Sequence, residues 1–262
     1  MCAMRSLPIS SDLNGKAVDL HAHYAADWIE TGGVRVNLVS SVDGAATASG
    51  LSQGLQTPGD KAVFTALRDL ADVVLVGAAT ASIEGYRPAN PSAERREVRL
   101  EYGLSAVPAI AVMSSSLDLD PTAALYTEAS ADAPTVIVTG SAAPVGRRND
   151  IIDLAASGAA VQLLEVPADP DGGANFVAAI QHLRDLGHRR ILCEGGPRLF
   201  AAGAGSGGVD ELCLTVSPLL VGPGGPRIVN GPPWPEGIST RLSLIGLLTE
   251  DDALFCRYRL NR

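Results

Sequence analysis

The stretch Arg190-Ile191-Leu192-Cys193-Glu194-Gly195-Gly196-Pro197-Arg198-Leu199-Phe200 constrains this chain more than any other. Ile191 to Cys193 is a short apolar run, the mark of a buried strand. Two glycines stop it. Pro197 suits the first turn of a helix, where its missing N–H would have had no partner, and Leu199 and Phe200 begin an apolar helix face. A glycine pair between strand and helix lets the backbone come close to a ligand. The unpaired N–H groups at the helix start, at the positive end of the helix dipole, can then hold a phosphate or pyrophosphate without basic side chains. Gly-Gly-Pro also serves as plain turn punctuation, so the rest of the chain must supply further support.

The same pattern recurs upstream. Val34 to Ser40 alternates and predicts a strand with one buried face. Ser41-Val42-Asp43-Gly44 is a turn, and Ala45 to Gln56 is small, polar and glycine-rich, a flexible loop over a site. Thr57-Pro58-Gly59-Asp60 predicts a helix start with Thr57 as cap and Pro58 in the first position. Val63, Phe64, Leu67, Leu70 and Ala71 then recur at helical spacing. Asp72 to Gly77 is a continuous apolar run, which fits a strand covered on both faces. It ends in Gly77-Ala78-Ala79-Thr80, a second strand-to-helix turn of tiny residues. Glu84 to Gly103 reads as an irregular, exposed excursion.

Further strands are predicted over Pro108 to Met113, Thr135 to Gly140 and Ala159 to Val166. A helix is predicted over Val145 to Ala156, with Ile151, Ile152, Leu154 and Ala155 buried. A second helical stripe comprises Phe176, Ala179, Ile180, Leu183 and Leu186. After Gly208 the pattern changes: a long strand over Val209 to Val221 interrupted by Pro218, a Gly/Pro-rich loop from Gly222 to Gly237, then strands Leu242 to Leu248 and Ala253 to Leu260 around a Thr249-Glu250-Asp251-Asp252 hairpin turn. The expected fold class is α/β, a mixed sheet with helices on both faces and a C-terminal antiparallel hairpin. Residues 1–33 read as an N-terminal extension, with a short helix from Asp19 to Glu30 ended by Gly32-Gly33, and residues 34–262 as one domain.

Composition narrows the function. Of 262 residues 46% are hydrophobic and 19% charged, enough for a large core. Twenty Lys and Arg against twenty-nine Asp and Glu give a net charge of −9, which argues against a nucleic-acid partner. It leaves room for an anionic ligand held by backbone amides. Of Cys2, Cys193, Cys213 and Cys256, three lie in apolar strand-like runs and none forms C-x-x-C, so buried reduced thiols are expected. His21, His23, His182 and His188 lack metal-ligand spacing and read as surface or packing residues, so no metal site is expected. No run reaches the ~20 apolar residues of a membrane span, and the first residues lack a signal-peptide pattern. The expectation is a cytoplasmic protein with no membrane partner.

Three strand ends thus carry tiny or hydroxyl residues: Gly77 to Thr80, Ser114 to Ser116, and Glu194 to Leu199. Nucleotides bind at strand ends in open α/β sheets. There is no G-x-G-x-x-G fingerprint, no Walker lysine motif and no G-x-S-x-G elbow.

Four motifs, Ser41-Val42-Asp43-Gly44, Val76-Gly77-Ala78-Ala79-Thr80, Glu194-Gly195-Gly196-Pro197-Arg198-Leu199 and Pro218-Leu219-Leu220-Val221-Gly222, resemble in order the reductase domain of riboflavin biosynthesis. The resemblance spans about Val34 to Leu260. It implies a dihydrofolate-reductase-like fold, NADPH as cofactor, a phosphorylated pyrimidine of the 5-amino-6-(5-phosphoribosylamino)uracil type as substrate, and a homodimer through the terminal strands. The H-x-E and P-C-x-x-C zinc set of the partner deaminase is absent, so the chain resembles a stand-alone reductase.

By position, the resemblance puts Gly77 and Thr80 against the cofactor, Ser115 toward the adenosine side and its 2′-phosphate, and the backbone of Gly195, Gly196, Pro197, Arg198 and Leu199 around the pyrophosphate. Glu84 stands where the family has an aspartate and implies a cofactor-side contact. Glu194, Ser52 and Arg68 are the implied substrate contacts. Asp43 is a further one, beside the plainer reading that it braces its turn; Arg68 likewise has the plainer reading of a solvated charge. Two places depart from the family: Ser52-Gln53-Gly54-Leu55 lacks an aromatic residue, and Gly85-Tyr86-Arg87-Pro88 replaces a Pro-x-Leu-Thr-x-Arg segment. Both shape the substrate pocket, which leaves a pterin reductase and a non-catalytic NADPH-binding protein as alternatives. The sequence identifies no catalytic proton donor.

Overall fold

A computed structural model of the chain describes residues 18–234 and 239–261. Cys2 and the Pro235-to-Gly237 end of the Gly/Pro-rich loop lie outside the described residues. Among the described residues nine strands make one sheet: β1 (Gly33–Ser41), β2 (Val73–Gly77), β3 (Ala109–Met113), β4 (Thr135–Gly140), β5 (Val161–Val166), β6 (Arg190–Cys193), β7 (Glu211–Ser217), β8 (Leu242–Glu250) and β9 (Ala253–Leu260). Their order is β5-β4-β3-β2-β6-β1-β7-β9-β8. From β5 through β7 every pairing is parallel, and β9 pairs antiparallel with both β7 and β8. This is the expected mixed sheet with its terminal hairpin.

The helices are α1 (Leu20–Ala25), α2 (Trp28–Thr31), α3 (Pro58–Asp69), α4 (Ala78–Ile83), α5 (Ala93–Glu101), α6 (Ala124–Thr127), α7 (Val145–Ala156), α8 (Phe176–Asp185) and α9 (Pro197–Gly205). They cover both faces, which explains the continuous apolar run of β2: Val73, Val74, Leu75 and Val76 are all fully buried. Val74, Val76, Leu192 and Cys213 pack with Val63 and Leu67 of α3 on one face. Val34, Val36, Leu75 and Leu212 pack with Phe176, Ile180 and Phe200 of α8 and α9 on the other.

Several local expectations need correction. The stretch 84–103 is irregular only in its first half: residues 86–92 have no regular structure, but Ser92 accepts from the Arg95 N–H and starts α5. Proline and charge hid that helix, whose buried residue is an arginine. Arg99, fully buried, donates to the carbonyls of Arg68 at 2.8 Å and Ala71 at 2.9 Å, satisfying the orphan C-terminal carbonyls of α3. The stretch Asp19–Glu30 is two helices, broken at Asp27 where φ is 66°. The long strand after Gly208 ends at Ser217, before Pro218, and β8 runs on to Glu250, leaving Asp251 and Asp252 to turn the hairpin. In α7 only Ile151 is buried, and Ile152 is 54% exposed, because the helix leans one face on β5 at the sheet edge. In α8, Leu186 is exposed beyond the helix end. The stretch 45–56 is not loose. Ala45 bridges Arg227, and Ser52–Leu55 forms a single 3₁₀ turn with Leu55 fully buried.

The segment before β1 packs into the core, with Tyr24 and Trp28 buried. Buried Arg35 and Arg257 share Glu211. They also donate to backbone carbonyls of the first helix: Arg35 to Tyr24 and Ala26, Arg257 to His23 and Ala26. His21 Nε2 lies 3.1 Å from Asp69, whose carboxylate Arg95 also holds. Cys193, Cys213 and Cys256 are buried free thiols.

Candidate active site

Two strand ends interlock. β2 and β6 are neighbours, so their terminal turns meet: the Gly77 N–H donates to the Gly195 carbonyl at 2.7 Å, and the Glu194 N–H to the Leu75 carbonyl at 2.9 Å. Gly195 has φ +83° with Leu38 3.0 Å from where a Cβ would sit. A Cβ on Gly196 would collide with Thr80 Oγ1. The glycine pair is therefore required first by the protein's own packing, and Gly77, Thr80, Gly195 and Gly196 form one cluster. Gly196 caps α9 without a side-chain hydrogen bond, and Pro197 is in its first turn. The helix start so leaves its first N–H groups without a side-chain cap, behind a glycine pair packed under Leu38 and Thr80. Arg198, in that first turn, is exposed and pairs with no acid among the described residues. Leu199 turns inward, buried with Phe200.

Glu194 follows β6 directly. Its carboxylate is 7% exposed as a residue and fully engaged: Arg68 Nε and Nη2 each donate to it at 2.7 Å, and the Tyr86 hydroxyl donates at 2.6 Å. The Arg68 guanidinium lies 4.3 Å from the Phe64 ring centroid and 5.4 Å from that of Tyr86. Burial works to lower its pKa, but the Glu194 carboxylate outweighs this and raises it. The solvated-charge reading of Arg68 is thus replaced by a paired, stacked one. Burial, and then Glu194, pushes the Tyr86 phenol well above its usual range. Tyr86 stands in the segment that departs from the family pattern, and nothing in the sequence alone pointed to its role. Arg99 under α3 fixes the helix end that carries Arg68.

The remaining expected residues divide. Asp43 accepts from Ser41 Oγ at 2.5 Å, Gly222 N at 2.7 Å and Val221 N at 3.2 Å, and these hydrogen bonds hold its pKa down at about 2. It therefore braces the 219–222 turn, the plainer of its two readings. Glu84 Oε1 accepts from the Ser52 N–H at 2.9 Å, which ties α4 to the 3₁₀ turn and groups Glu84 with Ser52. Ser115 is exposed at the end of β3, with the Gly173 turn nearby. It stands apart from the Gly77–Gly196 cluster, one strand further along the sheet.

Residues 33–253 match the family model of the RibD C-terminal domain. The chain belongs to that family. The 2,5-diamino-6-ribosylamino-4(3H)-pyrimidinone 5′-phosphate reductase of Archaeoglobus fulgidus is 25% identical over 190 residues, covering 72% of this chain and 81% of that one. Among solved structures, a pyrimidine reductase-like protein from Corynebacterium diphtheriae has a TM-score of 0.76 at 25% identity, covering 90% of this chain and 94% of that one. The riboflavin biosynthesis reductase Rib7 of Saccharomyces cerevisiae shares the fold, with a TM-score of 0.62 at 14% identity over 88% of this chain and 90% of that one. In this RibD-type domain, the Gly77–Gly196 cluster and the Arg68–Glu194–Tyr86 triad sit side by side at the carboxyl ends of the central strands, where ligands bind in such sheets.

Proposed function

We propose that the chain is an NADPH-dependent reductase that transfers hydride to a 5-amino-6-(5-phosphoribosylamino)uracil-like substrate, opening its ribose to a ribityl chain. The observation that carries this is the uncapped start of α9 behind a glycine pair with no room for a side chain, set beside the bidentate Arg68–Glu194 pair. The names of the relatives support a phosphoribosylated pyrimidine over a pterin.

The residues present fit a dinucleotide. The N–H groups of Arg198 and Leu199 and the Arg198 side chain would hold the diphosphate. Gly77 and Thr80 would wall the cofactor beside them. Ser115 would lie toward the adenosine end and its 2′-phosphate. When bound, the reduced nicotinamide supplies the hydride. The protein's part is to hold the sugar carbon against it and exclude water. Glu194, fixed by Arg68 and Tyr86, presents a rigid polar wall to the substrate. Ser52, held by Glu84, and the turn braced by Asp43 form the rim.

The test is NADPH oxidation by the purified protein with the phosphoribosylamino-pyrimidine. Turnover supports the reading; a folded protein that binds NADPH but consumes none would overturn the substrate assignment. A homodimer through the hairpin belongs to the same reading, because β8 is an open edge carrying exposed Leu242, Leu244 and Ile245, and bare apolar edges invite pairing. A sedimentation profile of monomer alone would remove it. No described helix is long and apolar enough to cross a membrane, and we place the enzyme in the cytoplasm.

A further inference from the structure

Glu194 enters the reading above as a substrate contact, yet its side chain is only 2% exposed. Arg68 takes both of its oxygens, and the Tyr86 hydroxyl takes Oε2 as well. No ligand reaches the carboxylate while all three bonds stand, so one partner must yield. The two partners are not equal. Arg68 carries the compensating charge, and its departure would leave a buried carboxylate unpaired, a cost of roughly 10²- to 10⁴-fold in the equilibrium. Tyr86 is neutral. Its hydroxyl makes one hydrogen bond to a charged group, worth about 10- to 100-fold. A hydroxyl or amino group of a ligand can replace it on the same oxygen. Burial, and then Glu194, pushes the Tyr86 phenol well above its usual range, so it stays a donor at neutral pH.

The backbone that carries Tyr86 is built to let it move. Residues 86–92 form a strap without regular structure between α4 and α5. Its root is fixed: the Tyr86 N–H donates to the Ala81 carbonyl at 2.8 Å. Just before it, Gly85 has φ +64° with no atom within 4 Å of where a Cβ would sit. The far end is held by Arg96, which donates to the Pro91 carbonyl and to Asn90 Oδ1 at 3.0 Å each. Between these points, residues 87–90 make no backbone–backbone hydrogen bond among the described residues. Arg87 pairs with Glu128, but the two side chains are 64% and 51% exposed, and such pairs hold little. Nor is the strap pressed onto α3. A cavity of about 80 Å³ separates Ala89, Asn90 and Pro91 from Phe64 and Arg68. What closes the middle is the Tyr86 side chain, with its hydroxyl on Glu194 and its ring 5.4 Å from the Arg68 guanidinium. Segments with so few internal bonds open at small free-energy cost.

We propose that Tyr86 is the gate of the substrate pocket: in the free protein its hydroxyl holds the place on Glu194 that a donor group of the substrate takes, and the 86–92 strap swings with it. This rests on the reading of Glu194 as a substrate contact and deepens it. When Tyr86 leaves, Arg68 still grips both oxygens, so the carboxylate keeps its position and its charge stays compensated. The latch of about 10- to 100-fold sets the open state at roughly 1–10% of the free protein. A ligand that needs the open state binds more weakly by that fraction. Tyr86 is therefore a positioning residue that sets substrate affinity through Glu194.

Two measurements test the gate. The first uses the wild-type chain without substrate, labelled with 3-fluorotyrosine. The chain has five tyrosines, and the Tyr86 resonance is the one missing from Tyr86→Phe. Fluorine saturation-transfer NMR should find it exchanging with a minor, solvent-exposed state of roughly 1–10%. The second compares KM for 5-amino-6-(5-phosphoribosylamino)uracil at saturating NADPH. Tyr86→Phe keeps the ring but has no latch to break, so its KM should fall about tenfold or more. A tyrosine that merely shaped the pocket would give an unchanged or higher KM. A single Tyr86 state in the free protein, or a KM that does not fall, overturns the proposal. If Tyr86→Phe does not fold, the wild-type resonance decides alone. If neither protein turns over the pyrimidine, the substrate assignment fails instead, and the same resonance, which needs no substrate, still upholds or overturns the gate.

Discussion

Arg68 and Glu194 lie 126 positions apart in sequence and meet as a planar fork, two N–H groups of one on two oxygens of the other at 2.7 Å each. Tyr86 closes the third approach to the carboxylate. Removing one member of such a pair leaves the other charge buried without compensation. Arg68→Met should therefore cost about 3–5 kcal/mol, and Arg68→Lys less, since lysine keeps the charge but loses the fork. Urea unfolding of both variants beside Glu194→Gln measures this. Equal stability of Arg68→Met and wild type would contradict the pairing.

Gly196 and Thr80 occupy one space. Gly196→Ala should cost about 1–3 kcal/mol by overpacking, because the new methyl meets Thr80 Oγ1. Adding Thr80→Ala removes that oxygen, and the double variant should recover about 0.5–3 kcal/mol as coupling energy. NADPH affinity of the double variant separates packing from ligand binding. It should stay weaker than wild type, since a methyl still stands at the helix start. Full recovery of affinity would mean that the cofactor does not approach Gly196.

Asp43 holds the Val221 and Gly222 amides, chiefly after its Ser41 hydrogen bond has lowered its pKa to about 2. A depressed carboxylate stabilises the fold above its unfolded value of 3.8, and the contribution is lost as pH falls toward 2. The Val221 and Gly222 amide resonances should therefore shift with a midpoint near pH 2. In Asp43→Ala they should show no such transition, and the 219–222 turn should be cut faster by protease at neutral pH. A midpoint near the ordinary aspartate value would contradict the brace.

Asp60 has the opposite sign. Burial raises its pKa, against smaller lowering effects of Thr215 and Lys61. Its contribution to stability is complete below the unfolded value of 3.8 and declines as pH rises through the higher folded value. Asp60→Asn should therefore melt at a higher temperature than wild type at pH 7, with the gain vanishing near pH 3. A melting temperature unchanged at pH 7 would argue against a buried, unpaired carboxyl.

The elements with a strong local pattern were legible in the chain. Val73 to Val76 in β2, Val136 to Val138 in β4 and Ile191 to Cys193 in β6 are unbroken apolar runs, Thr57 and Pro58 start α3 as their types require, and the glycine pair after β6 marks the turn. α5 was not legible, because what it buries is Arg99, whose reason for burial is a set of carbonyls at the far end of another helix. The site divides the same way. Glycines at 195 and 196 can be named from sequence, since a strand-to-helix turn or a close backbone approach requires them. That they are required by Leu38 and Thr80 cannot, because those contacts cross from one strand end to another.

Local chemistry, acting over a few residues, was enough to determine the alternation of strands and helices, the α/β class and the phosphate-compatible turn. Which charges ended up beside one another was decided only when the strands took their order in the sheet. Placing β6 between β1 and β2 put Glu194 within reach of α3, and placing β7 next to β1 put Thr215 under Asp60. Periodicity fixes which side of an element a residue occupies, but the partner across the gap comes from a segment about a hundred or more positions away, and no local pattern encodes that meeting.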